Sequence, residues 1–329
     1  MLKALTCFYR LIIQSLAAFL PTPLAYGLAR LYGDWRYQRD RARREMIARN
    51  LGEGLCEQLS EVERVSIVRD FFRLRYCEAV DMLRLAGNRQ AFTRLVEIRG
   101  QEYLDAALAE GKGAVLCGAH FGSYYASASP LLASGIPVTI FGLFPAITEE
   151  PAPSTVWFAW QRGMAHHTDN YSYRPAIQAR QAHAALRIAN RLRANEVIAM
   201  NIDLPAKTAT SQRTVSTTLL GKQTEMPSGC VTIAHLTDAP ILMYFLHRSA
   251  DWRHQVLEIL PPIAMADDMA ITFGRCIAAV EAAILRNPAH WIYWDQPDML
   301  TNLGLLSSTI SSAPDVRIEI DEMSVLQHS

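Results

Sequence analysis

The chain is short of charge. Lysine plus arginine and aspartate plus glutamate stand at 32 each, so the formal net charge is zero, and charged residues make up only 19% of the 329 positions. That balance speaks against nucleic acid as a partner, because its binders carry a basic excess on one face. An anionic ligand would have to be met by local groups. There is also no CxxC pair among the six cysteines, Cys7, Cys56, Cys77, Cys117, Cys230 and Cys276, and no metal-ligand spacing. They read as reduced core residues of a cytosolic compartment, with no metal site. His166-His167 are adjacent, so a helix cannot turn both toward one ion.

A membrane-spanning run is missing as well. Leu11–Leu20 is an apolar helix candidate, but Pro21 and Pro23 end it short of the roughly 20 residues a span requires. No A-x-A cleavage pattern follows it. Half of the residues are nevertheless hydrophobic, a composition that suits an enzyme working at a membrane surface. Leu11–Leu20 and Leu24–Tyr32 read either as an interfacial anchor and access ramp for lipid chains or as two helices packed on the core. The basic stretch Arg39–Asn50 reads either as a contact to anionic headgroups or as a solvated helix face. Ser60-Glu61-Val62-Glu63 opens a further helix with a capping box.

From Val96 onward short apolar runs alternate with helical patterns. Strands are expected at Ala114–Gly118, Pro137–Phe141, Val197–Ile202, Ile241–Leu246 and Gln255–Leu260, and helices at Gln101–Glu110, Pro175–Leu192 and Met269–Leu285. This predicts an α/β fold, a mostly parallel or mixed central sheet flanked by helices, with an N-terminal helical preface. The expected division is a helical, interfacial segment over 1–95, an α/β domain over 96–302 and a loosely ordered tail over 303–329.

One strand delivers a reactive group. Gly113-Ala114-Val115-Leu116-Cys117-Gly118-Ala119-His120-Phe121-Gly122-Ser123-Tyr124-Tyr125 runs from a buried strand into a glycine-containing turn, and His120 falls where open α/β sheets do their chemistry. A histidine there reads as a general base or as a hydrogen-bonded core residue. Strand alternation turns Cys117 away from it, which disfavours a Cys-His nucleophile pair.

The order of these blocks resembles the lysophospholipid acyltransferase-like superfamily, in its branch of bacterial lipid A late acyltransferases and phosphatidylinositol mannoside acyltransferases. Lys112–Gly122 is similar to that family's G-x-hydrophobic run ending in A-H-F-G. Asn201-Ile202-Asp203 stands where those enzymes carry D-x-D or D-Q-D, and Thr218–Gly229 looks like their F-F-G-x5-P-x-G loop. Ala234–Leu242 and His247-Arg248 follow in register, so the likeness extends from about residue 5 to 300.

The resemblance implies acyl transfer from a thioester, on acyl carrier protein or coenzyme A, to a hydroxyl or amine of a lipid or small-molecule acceptor. It implies His120 as base, no cofactor, and a position at the cytoplasmic side of the inner membrane or in the cytoplasm. Backbone N–H groups of Phe121 and Gly122, opening a following helix, are candidate oxyanion donors. Ser123, Ser228, Arg174 and Arg248 are candidate substrate contacts, the two arginines for a donor phosphate or the acceptor. Phe141, Leu143, Phe144, Trp157, Phe158 and Trp160 are candidates for the wall of an acyl groove, or ordinary core.

Two departures from the family are informative. Its H-x4-D/E motif places an acid five residues after the histidine, and Tyr125 stands there, uncharged at neutral pH. Another carboxylate then has to support His120, Asp203 being best placed by topology; or the acceptor is a stronger nucleophile; or the scaffold now binds a lipid or carrier protein, or hydrolyses a thioester. The family's basic W-x-H-x-R stretch is replaced by Trp291–Asp298, which holds two acids and no cation. A phosphorylated lipid A precursor is therefore a poor acceptor, and Trp291, Tyr293 and Trp294 suit an apolar or planar one unless they are core.

Overall fold

The structure is a computed structural model, and it describes residues 20–55, 59–87, 92–142, 176–208 and 213–306. Among the described residues three helices come first: α1 (Thr22–Arg39), α2 (Arg41–Gly54) and the long α3 (Glu61–Gly87). The predicted capping box opens α3, with the Glu63 carboxylate accepting from the Ser60 N–H at 2.9 Å and the Ser60 hydroxyl accepting from the Glu63 N–H at 3.3 Å. Among the described residues no helix is long and apolar enough to cross a membrane. The Leu11–Leu20 candidate lies outside the described residues except for Leu20.

Three of the four arginines of α2 are engaged within the protein. Arg41 pairs with Glu45 at 2.6 Å, Arg43 forks onto Asp295, and Arg44 donates to the Tyr37 carbonyl at 2.8 Å. These three are therefore already partnered, which leaves them poorly suited to anionic headgroups.

The α/β part follows in the order β1 (Val96–Arg99), α4 (Gln101–Ala109), β2 (Ala114–Gly118), α5 (Ser129–Ala133), β3 (Val138–Gly142), β4 (Ile177–Gln178), α6 (Ala184–Arg193) and β5 (Val197–Asn201). It continues with β6 (Thr214–Leu219), β7 (Lys222–Pro227), α7 (Gly229–Thr237), β8 (Ile241–Arg248), β9 (Gln255–Ile259), α8 (Met269–Arg286) and α9 (Pro297–Asn302). Seven strands form one mixed sheet, β1-β9-β8-β2-β5-β3-β4, parallel throughout except that β8 and β9 run antiparallel. The expected fold class is the one found.

Both faces of this sheet are covered, which is why its central strands read as unbroken apolar runs. Val115, Cys117, Ile198 and Met200 face one buried cluster, while Ala114, Leu116, Val197 and Ala199 face another. The four described cysteines, Cys77, Cys117, Cys230 and Cys276, are buried and unpaired.

Two expected elements differ. The helix predicted over Pro175–Leu192 begins only at Ala184, because Ile177–Gln178 pairs with β3 as a short strand and His183 enters the left-handed region at φ 59°. The Thr218–Gly229 block is a hairpin arm and a helix start. Leu220 and Gly221, at φ 50° and 73°, form the two-residue turn between β6 and β7, the twist that antiparallel neighbours require.

Candidate active site

Neighbouring parallel strands β2 and β5 fix the site. Gly118 pairs with Asn201 in register, so His120 and Asp203, each two residues further on, leave the sheet side by side at its carboxyl edge. The His120 Nδ1 lies 2.7 Å from Asp203 Oδ1, and the His120 backbone N–H donates to Asp203 Oδ2 at 2.9 Å. A second donor reaches Oδ2, the Trp291 indole N–H at 3.0 Å. Asp203 is fully buried, and a buried carboxylate needs such donors. Because a carboxylate only accepts, the network assigns the proton to Nδ1, and among the described residues no hydrogen bond engages the Nε2 lone pair.

The imidazole is held from both sides. Tyr293 stacks on it at 5.2 Å and brings its hydroxyl oxygen 2.9 Å from Nδ1, a second acceptor for the same N–H. Burial, with Asp203 nearby, keeps that phenol far above its usual range, so it stays neutral. Tyr124 meets the ring edge-on at 4.8 Å.

The turn carrying His120 is pinned along its length. Its carbonyl accepts from the Ile292 N–H at 3.1 Å, and the Gly122 N–H donates to the His290 carbonyl at 2.9 Å. Gly122 sits at φ 58°, and a β-carbon there would stand 2.1 Å from the Leu246 carbonyl oxygen, so this position requires glycine.

Several sequence expectations are corrected by this geometry. The N–H groups of Phe121 and Gly122 are already donated, to the carbonyls of Ala119 at 2.7 Å and of His290, so neither is free for an oxyanion. No helix begins at them; a short 3-10 turn, Tyr124–Ala126, comes next. Ser123 is buried and gives its hydroxyl to Asp81 Oδ2 at 2.7 Å. Arg248 is buried too, with Nη2 held on both oxygens of Asp81 at 2.7 Å and Nε without a hydrogen-bond partner among the described residues.

Ser228 is buried at the start of α7, where its carbonyl accepts from Val231 and Thr232, and no hydrogen bond joins it to His120 or Asp203. Tyr125 rests on Tyr124 with ring centroids 3.8 Å apart, so Tyr124 is the neighbour of the imidazole and Tyr125 lies behind it. Arg174, the His166-His167 pair and the groove candidates Leu143, Phe144, Trp157, Phe158 and Trp160 lie outside the described residues. Phe141 is half-buried against the main core.

Trp291 and Trp294 are buried core, as the plainer of the two readings had it, while Trp291 and Tyr293 also support the histidine-carboxylate pair. Cys117 is hydrogen-bonded to Cys230 and buried, which holds its thiol well above the usual range and unreactive. Among the described residues no group of three or more His, Cys, Asp or Glu could hold a metal ion.

Charged groups of α3 pack behind the tyrosines. Glu78 pairs with Arg75 at 2.6 Å, yet burial pushes its carboxyl up to about 8 against the pull of Arg75, with Asp81 adding to the rise. Between its ordinary 4.5 and about 8, the folded chain then holds a proton that the unfolded chain has lost, so this group's contribution to stability falls as pH rises through that window. Glu78→Gln should therefore gain in melting temperature relative to the parent as pH is raised across the window. A difference independent of pH would mean that Glu78 is ionised throughout.

Residues 1–142 match the family model of the bacterial lipid A biosynthesis acyltransferases. This acyltransferase match covers 142 of the 329 residues and is consistent with the lysophospholipid acyltransferase-like superfamily. It takes in α1, α2, α3, β2 and the turn from His120 to Tyr125, while Asp203, Trp291 and Tyr293 lie beyond it. At that level of description the likeness supports an acyltransferase. No curated protein matches the chain significantly.

Proposed function

We propose that the chain transfers an acyl group from a thioester, on acyl carrier protein or coenzyme A, to a hydroxyl or amine, with His120 as general base. The observation that carries this is the His120–Asp203 pair, a part-exposed imidazole at the sheet edge whose Nδ1 is anchored on a buried carboxylate while Nε2 has no hydrogen-bond partner among the described residues. Nε2 takes the proton of the acceptor as its oxygen or nitrogen bonds to the acyl carbon. The C–S bond then breaks, and the imidazolium returns the proton to the departing thiolate. Asp203 stabilises the imidazolium between those steps, the role of the aspartate in a Ser-His-Asp triad. No covalent acyl-enzyme is required.

The acceptor side argues against a phosphorylated sugar. Asp295 is taken by Arg43, and Trp291 and Trp294 are buried, so Trp291–Asp298 offers no cation to a phosphate. The reading therefore takes an uncharged hydroxyl or an amine as acceptor.

We also assign α1 to the membrane surface. Leu24, Leu28, Leu31, Tyr32 and Trp35 are exposed, and their spacing puts them on one side of the helix, whereas Tyr26, Ala29 and Gly33 face inward. Aromatic and leucine side chains in one exposed stripe suit the headgroup boundary. Unpaired cysteines fit a reducing compartment, so the reading puts this contact on the cytoplasmic leaflet. A leucine side chain is worth about 1.5–3 kcal/mol on leaving water. Leu28→Glu/Leu31→Glu should thus weaken cosedimentation with phosphatidylglycerol-containing vesicles by about tenfold or more. Unchanged cosedimentation would remove α1 from the bilayer.

Thiol release from acyl thioesters, measured with and without candidate acceptors, tests the reaction. Release that depends on an acceptor and is matched by acylated product supports transfer. Equal release without acceptor makes the protein a thioesterase, and no release with any donor removes the enzymatic reading for those substrates.

A further inference from the structure

Four charged residues stand three apart along α3: Arg75, Glu78, Asp81 and Arg84. A row at that spacing normally faces water, but Glu78, Asp81 and Arg84 are buried and Arg75 nearly so. Burying charges is costly unless each is partnered, so where the partners lie is informative. Glu78 takes Arg75 of the same helix and Arg84 bonds Thr22 and the Leu20 carbonyl, whereas Asp81 reaches Ser123, in the turn that carries His120.

Asp81 is the centre of this arrangement. Oδ1 accepts from the Tyr26 hydroxyl at 2.5 Å, Oδ2 accepts from Ser123 Oγ at 2.7 Å and from Gln255 Nε2 at 2.5 Å, and Arg248 Nη2 lies 2.7 Å from both oxygens. Gln255 Nε2 also donates to Ser123 Oγ at 3.0 Å. The Arg248 guanidinium in turn sits 4.1 Å above the Tyr26 ring. One carboxylate thus joins α1, α3, β8, β9 and the residue three places after His120.

The turn is also held by Asp203, by the segment around His290 and by a backbone bridge from Gly122 to Leu246 of β8. Asp81 supplies the hold on the far end, through Ser123. We propose that Asp81 is a positioning residue for His120: it fixes Ser123, Ser123 fixes the end of the turn, and the imidazole is thereby held on Asp203 with Nε2 facing the reacting atoms. This rests on the acyl-transfer reading above. Misplacement of a base by about 1 Å costs rate without loosening substrate, so such a residue acts on kcat.

Ser123→Ala removes the link while leaving the Asp81–Arg248 pair intact. Thr237→Ala is the control, since it deletes a comparable hydroxyl on α7, bonded to the Ile233 carbonyl at 2.8 Å and remote from the turn. The expected result for Ser123→Ala is a fall in kcat of at least fivefold with KM within twofold, at a melting temperature close to that of the control. The rate at which diethyl pyrocarbonate modifies His120, followed on its own peptide by mass spectrometry, should change at least twofold in Ser123→Ala and stay constant in the control. Asp81→Asn should show the same signature more strongly, and Ser123→Ala decides the matter if that variant does not fold.

An unchanged kcat together with an unchanged His120 modification rate in Ser123→Ala overturns the proposal. So does a rise in KM with kcat intact. If the parent transfers no acyl group to any acceptor, the functional reading fails by itself. The modification rates still decide the positioning role, a changed rate supporting it and an unchanged one removing it.

Discussion

Replacing His120 by alanine is expected to lower kcat for acyl transfer by about 10²–10⁴-fold, the range that a positioned general base contributes. The loss should be specific to chemistry, because the side chain is part-exposed at the sheet edge and fills no deep core site. Its removal takes one donor from Asp203 Oδ1, while Oδ2 keeps the backbone N–H of residue 120 and the Trp291 indole. A lost hydrogen bond to a charged group costs about 1.5–3 kcal/mol, tolerable for a chain with a core this large. Acceptor-dependent thiol release measures the rate, and circular dichroism melting measures the fold. A folded His120→Ala protein that retains parental kcat would assign the base elsewhere.

Much of the frame around this residue was legible in the sequence, for a definite reason. Ala114–Gly118 and Val197–Asn201 are apolar runs ended by polar residues, and parallel strands buried on both faces read that way. Two adjacent strands in register then bring Asp203 to His120, so topology alone could nominate the carboxylate. The surroundings of the pair were less legible. An aromatic run such as Trp291–Trp294 looks the same whether it packs a core or meets a ligand, and nothing in its composition says that one indole N–H ends on Asp203. The row Arg75, Glu78, Asp81, Arg84 was present at helical spacing, but burial is what separates it from a solvated face. The oxyanion expectation failed at Gly122, whose positive φ turns the chain so that its N–H faces His290 and no helix opens there. These misses share a cause, since they depend on partners distant in the chain, 88 residues for Trp291 and Asp203 and 42 for Asp81 and Ser123, or on local reversal of the backbone.

Asp203→Asn should be nearly as damaging as loss of the histidine, although it changes neither size nor shape. Asp203 meets donors only: the His120 backbone N–H, the Trp291 indole N–H and the imidazole Nδ1–H. An amide has one acceptor oxygen and one donor nitrogen. If its oxygen takes the place of Oδ2, between the two fixed N–H groups, the nitrogen faces Nδ1. The imidazole then binds as the other tautomer, with its proton on Nε2, and the base is gone. If its oxygen faces Nδ1, the nitrogen is pressed against two N–H donors, which leaves buried donors unpaired at about 1–3 kcal/mol each. The first arrangement is the cheaper one, so the variant should fold and lose catalysis. A comparable aspartate-to-asparagine change in a Ser-His-Asp triad costs about 10⁴ in kcat through the wrong tautomer, and a loss of about 10²–10⁴ is expected here. Nitrogen chemical shifts of His120 should report the proton moving from Nδ1 to Nε2, independently of turnover. Parental kcat in a folded Asp203→Asn protein, with the proton still on Nδ1, would show that Tyr293, whose hydroxyl oxygen lies 2.9 Å from the same atom, suffices to orient the base.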